Sequence, residues 1–81
     1  MDLIKIYINN LTKNDAKTFI QNRNIELTEN EFDFLFKEIK ENYIRIIDED
    51  ENEIDLIKSR INKNSFDKLM LLFKKYKKYL Q

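Results

Sequence analysis

Apolar residues recur at helical spacing along two long stretches of the chain, and these stretches predict its longest helices. One runs over residues 29–47 and the other over about 65–79. Each apolar arc is broad enough to contact more than one neighbour, so we expect the two helices to supply most of the core. The first arc comprises Phe32, Leu35, Phe36, Ile39, Tyr43, Ile46 and Ile47, and the second comprises Phe66, Leu69, Met70, Phe73, Tyr76 and Leu80.

Three shorter helices are predicted around these two. Over residues 2–10 the period is ambiguous, because alternate isoleucines also suit a strand, but no other stretch of the chain offers such a strand a partner. We therefore favour a helix there. A second helix is predicted from Thr12 to about residues 23–24, and a fourth over about 53–61, after an acidic stretch.

Polar residues mark several of the predicted helix ends. Thr28 and Glu31 form the pattern of a capping box before the long third helix, and Thr12 begins a variant of the same pattern. Asn24 is the best available substitute for the glycine that usually ends a helix in the left-handed conformation. Asn64 is predicted to cap the last helix.

Composition supports an all-α fold. The chain of 81 residues contains no Gly and no Pro, so tight hairpin turns and phosphate-cradling loops are not expected. An apolar fraction of 42% suffices for a core despite 37% charged residues. We predict one domain over residues 1–81, an all-α, compact single-domain array of four to five short helices.

The same composition argues against catalysis. Without Cys or His, the chain has no thiol nucleophile, no imidazole base and no common zinc site. Asp48, Asp50 and Asn52 resemble the first ligands of a calcium loop, but Glu53 and Ser59 stand where that loop needs Gly and a bidentate Glu. The carboxylates lie in charged runs, where we expect them to be solvated and their pKa values unraised. We predict no enzyme activity, no metal and no cofactor.

Charge is segregated along the chain although the formal net charge is zero. Residues 31–55 carry three basic and ten acidic side chains, and residues 56–81 carry eight basic and one acidic. One interpretation is that the acidic middle faces the basic end within the monomer, where surface pairs stabilise little. The other is a basic face for an acidic partner.

Three apolar residues, Phe34, Ile44 and Leu71, fall off the two core arcs. Either they are buried by a second neighbouring helix, or they form an exposed apolar patch that binds a partner. The second interpretation makes them candidate partner-binding residues. The same residues suit a homodimer equally.

A basic stretch near the end of the chain, with interleaved tyrosines, supplies the candidate basic patch Lys74, Lys75 and Lys78. Such a pattern can contact phosphates and stack on bases. Cations near a helix C-terminus also complement the helix dipole, and the zero net charge argues against strong nucleic-acid affinity. Association with nucleic acid is therefore the alternative to protein binding.

Capping and core positions follow one another in a recognisable series. In chain order these are Leu11, Thr12, Asp15, Phe19, Ile25, Leu27, Thr28, Glu31, Ile39, Lys40, Asn42, Ile46, Ile47, Asp48, Glu53, Leu56, Ile57, Lys58, Leu69, Leu72 and Phe73. The series resembles that of the YqfT-like proteins, short uncharacterised proteins of low-GC Gram-positive bacteria. The resemblance covers most of the chain and implies a helical fold and a bacterial cytoplasm, with no activity and no site residues. Asn42 and residues 62–64 stand where members often carry Gly.

The sequence as a whole predicts a small, non-enzymatic helical module for protein–protein interaction, an adaptor of unknown pathway. No apolar run approaches the roughly 20 residues needed to span a bilayer. The N-terminal stretch lacks the pattern of a signal peptide. The expected location is the cytoplasm.

Overall fold

Five helices make up the part of the chain that the computed structural model describes, residues 3–79. The prediction of an all-α fold, with a helix in place of the possible N-terminal strand, is confirmed. Leu80, predicted for the apolar arc of the last helix, lies outside the described residues. The helices are α1 (Leu3–Asn10), α2 (Lys13–Gln21), α3 (Glu29–Ile47), α4 (Glu51–Arg60) and α5 (Lys63–Tyr79).

Helix α3 is the centre of the fold, because each of the other four helices packs against it. Helices α4 and α5 also pack against each other. Helix α2 meets α5 through the rings of Phe19 and Tyr76. The Cα radius of gyration is 12.0 Å, close to the ~12 Å of a single globular domain of this length. The predicted bounds of α3, residues 29–47, agree with the structure.

The main core lies where α3, α4 and α5 meet the segment that follows α2. Its buried members come from both predicted arcs and from α4, and several half-buried residues, including Phe34, pack against it. Three further buried residues lie outside this cluster: Ile8 on α1, Ala16 on α2 and Phe32 on α3. The buried residues of the main cluster are Ile25, Leu35, Ile46, Ile57, Ile61, Phe66 and Leu69.

Side-chain caps begin four of the described helices, α2 to α5. Thr12 Oγ1 accepts from the backbone N–H of Asp15 at 3.1 Å at the start of α2. At the start of α3, Thr28 and Glu31 form both hydrogen bonds of the predicted capping box. Asn24 adopts the predicted left-handed conformation after α2, with φ 58°. These local predictions are confirmed, because each capping hydrogen bond involves residues only three positions apart.

The prediction that Asn64 caps the last helix is wrong. The helix begins two residues earlier, where Asn62 Oδ1 accepts from the backbone N–H of Ser65 at 2.9 Å and the Asn62 carbonyl accepts from Phe66. Asn62 also bonds the residues around the start of α3: its backbone N–H donates to the Glu31 carboxylate at 2.6 Å, and its side chain donates to the Glu26 carbonyl. These tertiary bonds select Asn62 over Asn64.

The acidic stretch forms the turn between α3 and α4. Glu49 takes a left-handed conformation with φ 56°. Asp50 then caps α4 by accepting from the backbone N–H of Glu53 at 3.0 Å, so α4 begins two residues before its predicted start. That hydrogen bond, followed by one from Arg45, lowers the pKa of Asp50.

Candidate functional site

The predicted basic patch lies on the exposed side of the second half of α5. Lys74, Lys75 and Lys78 are exposed and make no ion pair within residues 3–79. Leu71 precedes them by three, four and seven residues, which places it on the same side of the helix. Its side chain remains 70% exposed. We call these four residues the basic face. It consists of Leu71, from the candidate partner-binding residues, and the three lysines of the candidate basic patch.

The tyrosine between these lysines is engaged elsewhere. The Tyr76 ring centroid lies 5.9 Å from that of Phe19 on α2, and the Tyr76 hydroxyl accepts from Arg23 at 3.4 Å. The Arg23 guanidinium in turn lies 3.5 Å from the Phe19 ring centroid. Tyr76 therefore packs α5 against the end of α2, so that part of its ring is occupied while 39% of the residue stays exposed.

The acidic middle and the basic end meet at one ion pair within the described residues, Lys77 with Glu49 at 3.7 Å. The structure thus supports contact of the two charged regions within the monomer, but it leaves the basic face outside that contact. A basic face for an acidic partner stays a prediction.

The other two candidate apolar residues lie on α3 in different surroundings. Phe34 is half-buried, packs against the core, and carries the Arg60 guanidinium 4.4 Å above its ring. Ile44 is 56% exposed. The two are ten residues apart, about 15 Å along a helix, with a kink between them at Asn42. The structure therefore does not join Phe34 and Ile44 in one patch, and their roles in binding stay predictions.

A further exposed apolar stripe lies on α1. Leu3, Ile6 and Tyr7 are 72%, 45% and 59% exposed, and their spacing places them on one side of the helix. The opposite side holds Ile8, which is buried. The spacing of residues 3, 6 and 7 could have predicted this exposed apolar side, but the alternating isoleucines made the choice between helix and strand ambiguous.

A pair of buried carboxyl groups lies between α3 and α4. Glu53 is 2% exposed and Glu38 is 9% exposed, and their carboxyl groups lie close enough to interact. Burial raises the pKa of Glu53 to about 7, and the hydrogen bond and negative charge of Glu38 add to the shift. The expectation that every carboxylate of the charged runs is solvated, with no raised pKa, is therefore wrong at Glu53.

Two polar side chains, those of Asn42 and Arg45, contact this pair, but one carboxyl oxygen of Glu53 is left without a donor among the described residues. Asn42 Nδ2 donates to Glu38 Oε2 at 2.9 Å. The Arg45 guanidinium lies 3.7 Å from Glu53 Oε1 and also bonds Asp50 at 3.1 Å. Glu53 Oε2 has no hydrogen-bond donor among the described residues. The described residues contain no cluster of three side chains able to hold a metal ion.

The fold defines this protein as a small all-α domain, and comparisons with other proteins do not narrow that class. The chain matches no protein-family model, no curated protein and no solved structure. The resemblance to the YqfT-like proteins stays a prediction. None of the helices within residues 3–79 is long and apolar enough to cross a membrane.

Proposed function

We propose that this protein is a non-enzymatic protein–protein interaction module that uses the basic face of α5 to bind an acidic, amphipathic helical segment of a partner. A bacterial cytoplasm belongs to the same proposal and is supported by the resemblance to the YqfT-like proteins. The absence of Cys and His from the sequence supports a role in binding over catalysis.

The observation that carries the proposal is the position of Leu71. A single exposed leucine is ordinary on a protein surface. Leu71, however, is 70% exposed on a helix whose other side is in the core, and its side of that helix carries three lysines that make no ion pair within residues 3–79. Burying a leucine side chain contributes about 1.5–3 kcal/mol, and the surrounding cations favour an acidic partner and exclude a basic one.

The same surface suits a protein better than a nucleic acid. Binding to phosphates would use the lysines but not Leu71, and the nearby Tyr76 ring packs against Phe19. An acidic helix with leucine at a spacing of three and four residues would use all four members of the basic face. Nucleic-acid binding by Lys74, Lys75 and Lys78 is the alternative that the test must separate.

A direct test uses a synthetic helical peptide with glutamates flanking two leucines, a scrambled peptide of the same composition, and a single-stranded oligonucleotide. Binding is followed by fluorescence anisotropy at low and moderate salt. We expect the helical peptide to bind at least tenfold more tightly than the scrambled one. Leu71→Ser should weaken this binding about tenfold, the effect of losing an apolar anchor.

Matched controls are available in the chain. Leu3→Ser alters an equally exposed leucine, 72% against 70%, and should leave peptide binding unchanged. Changing Lys74, Lys75 and Lys78 together to Gln should abolish it, whereas changing the exposed Lys37, Lys58 and Lys63 to Gln should have a much smaller effect. Equal binding of the two peptides, or tight, steeply salt-dependent oligonucleotide binding that Leu71→Ser leaves intact, would overturn the proposal.

A further inference from the structure

If both carboxyl groups of the buried pair are ionised, their negative charges repel each other in a place that water hardly reaches. Two negative charges would then share a contact that is almost wholly removed from water, and burial of unpaired charge is costly. Glu53 Oε2 would also remain without any donor. A proton on Oε2 would remove one of the two charges and turn the unpartnered oxygen into a donor.

The surrounding charges do not compensate for a second ionisation. From α3, Glu38 adds a negative charge and Arg45 a positive one, and from the turn before α4, Asp50 adds another negative charge. The Arg45 side chain is 49% exposed and divides its contacts between Glu53 and Asp50. The buried residues of α5, Ser65, Phe66 and Leu69, carry no charge.

The pair also lies close to a kink in α3. Asn42 interrupts the helix with φ −131° and ψ 28°, and its side chain bonds Glu38 one turn earlier. Glu38 therefore precedes the kink, and Arg45 and the buried Ile46 follow it. The interaction of Glu38 with Glu53 therefore joins α4 to the half of α3 that precedes the kink.

We propose that Glu38 and Glu53 form a proton-operated latch, in which a proton held between the two buried carboxyl groups keeps α4 on α3 and its loss to solvent releases α4. Release separates the two carboxylates at the kink and lets water reach them. The latch is thus a conformational device that is closed at mildly acidic pH and opens as the pH rises. It is independent of the basic face, so either proposal can fail without the other.

The first test is a carbon NMR titration of the glutamate carboxyl groups in the full chain. We expect Glu53 to titrate near pH 7, well above the usual range. Titration of Glu53 near pH 4.5 would overturn the proposal. This measurement uses the unaltered protein and therefore does not depend on any variant folding.

The second test is amide hydrogen exchange at pH 6 and pH 8, corrected for the intrinsic rate and repeated at low urea concentrations. Ile57 in α4 reports release, and Leu35 in α3, before the kink, reports global unfolding. A carboxyl that titrates near 7 when closed and near 4.5 when open should lower the protection of Ile57 about tenfold between these pH values. The Ile57 exchange should be less sensitive to urea than that of Leu35, as a local opening requires.

Glu53→Gln is the decisive variant, because the Gln amide is uncharged and donates to Glu38 at every pH. We expect it to abolish the change in Ile57 protection between pH 6 and pH 8. Glu51→Gln, an exposed residue in the same first turn of α4, should retain the full change. If Ile57 and Leu35 share one urea slope and one free energy of exchange at both pH values, the proton acts on the whole fold and there is no latch.

Discussion

At the scale of single residues, Asn62 connects the starts of two helices. It caps α5 through Ser65, and it also bonds Glu31, whose carboxylate completes the capping box with Thr28 at the start of α3. The hydrogen bonds from the Thr28 backbone, and then from Asn62, lower the pKa of Glu31 although partial desolvation opposes them. Asn62 therefore serves as a helix cap and as a tertiary contact at once.

We predict that Asn62→Ala destabilises the protein by about 1–2 kcal/mol, since it removes the cap of α5 and the side-chain bond to the Glu26 carbonyl. Urea denaturation measures the change. Asn64→Ala is the matched control, because Asn64 is exposed within the first turn, and it should cost less than about 0.5 kcal/mol. Equal effects of the two substitutions would restore Asn64 as the cap.

At the scale of helices, α1 depends on a lysine from α3. An isolated helix of eight residues is unstable in water, and α1 packs against α3 alone among the helices. Lys40 Nζ donates to the carbonyls of Ile8, Asn9 and Leu11, at 2.8, 2.9 and 3.2 Å. The ammonium thus satisfies carbonyls at the C-terminal end of α1, where the helix dipole is negative.

We expect Lys40→Met to release α1 while the rest of the fold persists. Methionine keeps most of the apolar stem and removes the donor, and hydrogen bonds to charged groups contribute about 1.5–3 kcal/mol. The measurement is amide exchange, in which the protection of α1 should be lost and that of Leu35 in α3 retained. Lys37→Met, one turn earlier and exposed, should leave α1 protected; unchanged protection in the Lys40 variant would contradict the role of its ammonium.

At the scale of the whole molecule, carboxyl groups with lowered pKa values and one with a raised pKa change the stability in opposite directions as the pH rises. The pKa of Glu31 and that of Asp50 are lowered by hydrogen bonds, so their stabilisation is present above pH 4.5 and is lost as the pH falls through the folded values. Burial raises the pKa of Glu53 from 4.5 to about 7. Between these values the folded state holds a proton that the unfolded state has released, so stability falls as the pH rises.

The predicted result is a maximum of stability near pH 5. From pH 5 to pH 8, we expect the free energy of unfolding to fall by about 2 kcal/mol through the titration of Glu53. Urea denaturation at pH 4, 5, 6, 7 and 8 would show it. Glu53→Gln should flatten the curve above pH 5 and leave the acidic side unchanged. Stability that rises steadily to pH 8 would show that Glu53 is ionised in the folded protein.

Local patterns in the sequence predicted the helices and several of their ends. The bounds of α3, the capping box at Thr28 and the left-handed Asn24 were all predicted, because each depends on residues within a turn of one another. The basic face was predicted in two parts, Leu71 and the lysines, for the same reason. Helical periodicity places residues on a common side before any neighbour is known.

Contacts between distant segments decided the rest. Asn62 rather than Asn64 caps α5 because Glu26 and Glu31, more than thirty positions earlier, bond to it. Glu53 belongs to an acidic run that looks solvated, yet packing of α4 on α3 buries it against Glu38. A carboxyl group's surroundings, and hence its acidity, depend on which segments the fold brings to it, and the sequence by itself determines only which helix it lies on.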